Sequence, residues 1–248
     1  MPKNTQTPSR MRRRLKYLLL AAWMATQFHP PVQAQVAPSA VDAAAFTGLH
    51  AAAHRGDVAQ IERLAASAND PAARSAALNA RDAYGRTPLH VATFARRGDA
   101  IQALATAGAN LNLLENDLYD GITIASVADD EATLRVLIGL GASAKQITSR
   151  YVGTALIAAA HLGHDGVVRQ LIQAGAPLDH VNNLHWTAVI EAIVLGDGGK
   201  RHQASLKALI DAGANLQLKD RTGATPLQLA RSRGYGEMVK LLEAAGAK

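Results

Sequence analysis

The chain has 248 residues, no cysteine, 48% hydrophobic residues and 19% charged ones. That composition supports a packed core, and the missing cysteines exclude disulfides, thiol catalysis and cysteine-ligated metals. The formal net charge is +6, but six of the 26 basic residues (Lys3, Arg10, Arg12, Arg13, Arg14 and Lys16) fall in residues 1–34, which hold no acidic residue. The remaining 20 basic residues face 20 acidic ones. The body of the chain therefore has no basic field, and a nucleic-acid partner is not expected.

Residues 1–34 have a three-part plan. Basic Arg10–Lys16 leads into the apolar run Leu18–Thr26, and Val32-Gln33-Ala34 then places small residues at the −3 and −1 positions of a cleavage site. The apolar run is shorter than the roughly 20 residues that span a bilayer. This is the layout of a secretory signal peptide cut between Ala34 and Gln35, so a periplasmic monomer with no membrane span after cleavage is expected. Arg12-Arg13 leaves the general and twin-arginine routes both open. An alanine-rich lead, residues 35–45, follows.

From residue 46 to 248 the chain repeats one unit. Its clearest copy is Gly85-Arg86-Thr87-Pro88-Leu89-His90-Val91-Ala92, closed by Leu104 and Gly108-Ala109. The last copy is Gly223-Ala224-Thr225-Pro226-Leu227-Gln228-Leu229-Ala230, closed by Leu241-Leu242 and Gly246-Ala247. Others start at Thr47, Thr123, Thr154 and Thr187, so the six threonines are spaced by 40, 36, 31, 33 and 38 residues. Each unit has apolar residues at helical spacing on two short helices. Threonine opens the first helix as a cap, and glycine ends the second with a left-handed stop. On this spacing the third unit lacks three residues near Ala128-Asp129-Asp130, and Gly98 sits two positions late in the second. Irregular inter-helix turns are expected in both. The first finger gains seven residues over Asn69–Asn79. The fifth unit gains five at Gly196–Gln203, a flexible loop without a phosphate-binding spacing.

The Thr-Pro-Leu-His opening, the paired helices and the Gly-Ala close resemble the ankyrin repeat, with its period of about 33 residues. The resemblance implies an all-α solenoid of about six helix-turn-helix repeats with short hairpin fingers. It also implies that His50 and His90 stitch neighbouring units together, and that the concave face binds a protein. Mapped onto this chain, the finger residues are Tyr84, Arg86, Tyr119, Ile122, Arg150, Tyr151, Asn183, Leu184, Trp186 and Arg221. Four of the seven aromatics beyond residue 34 lie on consecutive fingers, and Tyr, Trp and Arg dominate interface hot spots. Neither a cofactor nor a metal is expected on this reading, and no enzymatic activity. The alternative is a metal-assisted hydrolase built on His161, His164, His180 and His185, which crowd the fourth and fifth units. Nucleophile-elbow, dinucleotide and zinc-protease motifs are absent.

Overall fold

A computed structural model describes residues 36–68 and 70–248; the expected signal segment and Asn69 lie outside them. The described residues form 14 helices and no strand, with one isolated antiparallel bridge between Thr148 and Gly153. The lead carries α1 (Ala40–Ala45). Six helix pairs follow: α2 (Gly48–Arg55) with α3 (Val58–Ala66); α5 (Pro88–Phe94) with α6 (Gly98–Ala107); α7 (Gly121–Val127) with α8 (Glu131–Gly139); α9 (Ala155–Leu162) with α10 (Asp165–Gln173); α11 (Ala188–Val194) with α12 (Lys200–Asp211); and α13 (Pro226–Ser232) with α14 (Gly236–Ala244). Each first helix packs on the first helix of the next pair, and each second helix on the next second helix. The expected all-α solenoid is what the chain forms.

One repeat boundary differs from the threonine spacing. The cap of α7 is Asp120, whose carboxylate accepts the Thr123 amide at 2.7 Å and the Thr123 hydroxyl at 2.7 Å. Thr123 therefore occupies the position of His90, not of Thr87. With caps at 47, 87, 120, 154, 187 and 225, the spacings become 40, 33, 34, 33 and 38. Aspartate caps a helix as well as threonine does, so the unit is complete.

The two irregular inter-helix turns expected above are in fact regular. Nine residues after the cap the backbone is left-handed at Gly56, Gly163 and Gly234, and equally at Arg96 (φ 56°) and Asp129 (φ 53°). In all five units the next amide reaches back five residues to a carbonyl of the first helix, as Arg97 does to Ala92 and Asp130 to Ala125 at 2.9 and 3.0 Å. The backbone hydrogen bonds thus hold two non-glycine residues in the glycine conformation.

Two further expectations change. Residues after Asn69 do not lengthen a hairpin; they form α4 (Pro71–Leu78), capped by Asp70 and Pro71, which packs against α3 and buries Leu78. In the fifth unit only Gly196–Gly199 is loop, because α12 starts at Lys200. Arg201 then bonds Asp129 of the third unit at 2.8 Å and pairs with Asp165 of the fourth at 3.3 Å, while His202 bonds the His161 carbonyl at 2.8 Å.

The histidine stitches are present. His50 Nε2 lies 2.9 Å from the Arg86 carbonyl, and His90 Nε2 lies 2.9 Å from that of Leu113. His90 Nδ1 accepts the Thr87 amide at 3.1 Å. These partners require a neutral ring with its proton on Nε2. Burial pushes the His90 pKa from 6.5 down to about 4, despite the carbonyl partner.

Two outcomes follow. Leu171 is fully buried in α10, so Leu171→Ala should lower stability by about 2–5 kcal/mol in urea denaturation. Because the native pKa of His90 is depressed, its stabilisation is complete above pH 6.5 and is lost as pH falls toward 4, on the order of 3 kcal/mol in all. Glutamine fills the same position at Gln228, where it accepts the Thr225 amide at 3.0 Å. His90→Gln should therefore flatten that part of the stability–pH curve, and parallel curves for the two proteins would assign the loss elsewhere.

Candidate protein-binding face

The loops before the caps make a row of fingers, each built around one acceptor side chain. Five residues before the cap, Asp82, Glu115, Asn182 and Asp220 each accept two backbone amides, from the residues two and four further on, at 2.8–3.1 Å. The fourth unit has Ser149 there, which accepts only the Tyr151 amide at 3.3 Å, and its finger closes through the Thr148–Gly153 bridge. Neighbouring fingers are joined by main-chain bonds: Asn116 N to Tyr84 O, Ser149 N to Leu118 O and Asn183 N to Tyr151 O, at 2.9–3.0 Å. Arg221 extends the chain by donating to the Asn183 carbonyl at 2.8 Å. A tip that moves must therefore break bonds to its neighbour, so the row is preorganised.

Most finger residues named from the sequence are at the surface. Tyr84, Arg150, Tyr151, Asn183 and Arg221 are exposed, whereas Tyr119, Leu184 and Trp186 are half-buried. Arg150 pairs with Asp117 of the preceding finger at 2.5 Å. Burial, with the Asp117 carboxylate next in size, raises the Tyr119 pKa and keeps it a neutral hydroxyl.

Arg86 and Ile122 are corrections, because each is only 1% exposed. The Arg86 Nε donates to Asp82 at 2.7 Å, and its guanidinium lies 4.3 Å from the Tyr84 ring centre and 5.7 Å from that of Phe46. Its Nη2 is 3.7 Å from Asp42 of α1. It fastens the lead helix to the second unit's finger and has no surface to offer a partner. Ile122 lies not on a finger but in a helix: α7 starts at Gly121, ahead of Thr123, and Ile122 enters the core.

A second set of residues shapes the finger tips. Two residues before the caps of the second to sixth units the amide bonds the carbonyl three residues back, and the backbone is left-handed. Gly85 and Gly223 fill this place in the second and sixth units; Leu118 (φ 67°), Val152 (φ 55°) and His185 (φ 64°) fill it in the three between. A left-handed non-glycine residue costs about 1–2 kcal/mol, and a β-branched one is a particular outlier. Leu118 and Val152 are 44% and 45% exposed. Alignment on Asp120 rather than Thr123 would have revealed them as replacements for glycine.

The four histidines of the alternative reading do not converge. His164 bonds the Ser126 carbonyl at 2.9 Å by the inter-helix turns, and His180 bonds the Val152 carbonyl at 2.6 Å beside the fingers. His161 lies 3.3 Å from the buried Glu191, which also accepts from Asn182 at 2.9 Å, and His185 is at a finger tip. Among the described residues no group of three or more His, Asp or Glu side chains is placed to hold a metal ion.

Comparison with known proteins agrees with this architecture. Residues 18–115 and 122–220 match the family model for ankyrin repeats. The ankyrin repeat protein YahD of Escherichia coli (strain K12) is 34% identical over 197 residues, which is 79% of this chain and 94% of that protein. The crystal structure of an ankyrin repeat domain from Acinetobacter baumannii AYE is 44% identical with a TM-score of 0.73, over 81% of this chain and 98% of that one. A chain in the complex of the predatory endopeptidase Bd0816 of Bdellovibrio bacteriovorus with immunity protein Bd3460 is 26% identical with a TM-score of 0.60, over 80% and 98%. With its helix pairs, capped fingers and both matched stretches in agreement, the chain belongs to the ankyrin-repeat family.

Proposed function

We propose that this chain is an exported protein-binding module that holds a single protein partner against its fingers and the adjoining surface of its first helices. Ankyrin repeats are protein-interaction modules, and the feature of this chain that carries the reading is the fastened finger row with exposed Tyr84 and Tyr151. Tyrosine and tryptophan bury large area at low entropic cost and keep a polar tip. At the other end of the first helices, by the inter-helix turns, Leu162 is 39% exposed, and Phe94, Val127, Val194 and Leu195 are half-buried. Export rests on the layout of residues 10–34. The likeness to a chain of an endopeptidase–immunity protein complex supports an exported enzyme as the kind of partner, one that this chain restrains or supports.

The mechanism is rigid presentation. A face already in its bound shape loses little entropy on binding, so the contact energy of a few anchors is retained as affinity. The partner is to be recovered by affinity from periplasmic extract and its binding measured by calorimetry. Trp186→Ala should weaken binding by about 2 kcal/mol or more, and Lys240→Ala, on the second-helix side, should leave it unchanged. Undiminished binding by a folded variant lacking Tyr84, Tyr119, Tyr151 and Trp186 would eliminate the finger face. N-terminal sequencing of the exported species should begin at or near Gln35, and a mature protein beginning at Met1 would refute the export reading.

A further inference from the structure

The geometry points to Leu118, Val152 and His185 as contact residues, held in a glycine conformation so that three successive fingers insert an uncharged ridge into an apolar cleft of the partner protein. This inference rests on the protein-binding reading above and names the chemistry of the partner's surface.

Three observations carry it. The three residues share one offset from their caps, one amide bond to the carbonyl three residues back and a left-handed backbone, although the fourth finger differs in its Thr148–Gly153 closure and in a second left-handed residue, Ser149. Glycine is the residue that the backbone favours there, and this chain uses it in the flanking fingers. At Gly85 a Cβ would fall 2.2 Å from Asn116 Oδ1, so a side chain is excluded. At Gly223 nothing lies within 4 Å of it. The middle fingers thus carry side chains where the backbone disfavours them, and strain of this kind collects at functional positions.

The second observation is exposure. Leu118, Tyr151, Val152 and Val181 are all exposed, by 44%, 36%, 45% and 43%, on three adjoining fingers. Main-chain bonds join these fingers at Leu118 and Tyr151, and His180 bonds the Val152 carbonyl. A cluster of large apolar side chains at a monomer surface marks an interaction site.

The third is charge. Arg150 and Asp117 pair across two of these fingers, and the Glu115 carboxylate is buried beneath its own turn. The exposed Arg221, on the Asn183 carbonyl, closes the uncharged stretch on the side of the sixth unit. A ridge without free charge complements a cleft without free charge, because an unpaired charge in the partner would be desolvated with nothing to meet it.

The experiment has two arms. In the first, the triple variant Leu118→Gly, Val152→Gly, His185→Gly is compared with the full wild-type chain by thermal unfolding. Its midpoint should be no lower, since lost contacts at half-exposed tips are offset by relief of the backbone. A fall of more than about 5 °C would make these side chains structural and overturn the inference. In the second, Leu118, Val152, His185 and, as a control, Lys240 are replaced singly by p-benzoylphenylalanine in the full chain. Cross-linking is then performed in the cells that make it.

All three tips should capture one and the same protein, at uncharged apolar residues, and position 240 should not. The triple glycine variant should retain at least tenfold less of that protein. Adducts with a second copy of this chain, with lipid or with a charged segment, or no adduct at all, would overturn the inference. A fifth variant carries the cross-linker at Trp186: if it captures the protein and the three tips do not, the finger face still binds and only the ridge fails.

Discussion

Everything in this molecule depends on how closely one first helix can lie on the next. Five residues after each cap stands an alanine: Ala52, Ala92, Ala125, Ala159, Ala192 and Ala230, each at most 1% exposed. A methyl group is the whole side chain that the packing of one first helix on the next has to accommodate there. The row then brings each finger within hydrogen-bonding distance of the one before it. A single pair of short helices cannot bury its apolar face alone, so the stack is the unit that folds. Side chains such as His50 and His90 reach the following unit's loop only because the helices are this close.

The fold was legible because this physics writes itself periodically. Left-handed glycines after the second helices, at Gly108, Gly141, Gly175, Gly213 and Gly246, adopt the conformation that their place demands. Legibility failed where a different residue performs the same physical task. Asp120 accepts the same amide that threonine accepts elsewhere, so the threonine spacing is out of step by three residues there and Ile122 looks like a finger residue. Arg96 and Asp129 stand where glycine is expected, so the turn looked irregular although its hydrogen bonds are not. The face itself was half legible. Aromatic residues near the caps drew attention to the fingers, but the burial of Arg86 depends on Asp82, Tyr84, Phe46 and Asp42 meeting from separate segments. Sequence distance conceals such a meeting.

The histidines show the opposite error. Four of them in two adjacent units suggest a metal centre on paper, and the stack spreads them over its two ends. One repeat contributes its inter-helix turn to one end of the stack and its finger to the other, so residues close in sequence are separated. His164 and His180 each find a neighbour's carbonyl instead. Both are spent on holding one repeat to the next.

Arg201 has a consequence for how the molecule comes apart. Repeat proteins approximate a one-dimensional chain of nearest-neighbour couplings, but this arginine of the fifth unit bonds Asp129 of the third and Asp165 of the fourth. As an exposed ion pair it adds little energy, yet it links units that otherwise communicate only through the one between them. The middle of the array gains a second-neighbour coupling that the sixth unit lacks. The coupling is small, so it ties the third, fourth and fifth units at their inter-helix turns without replacing the nearest-neighbour packing that holds the stack.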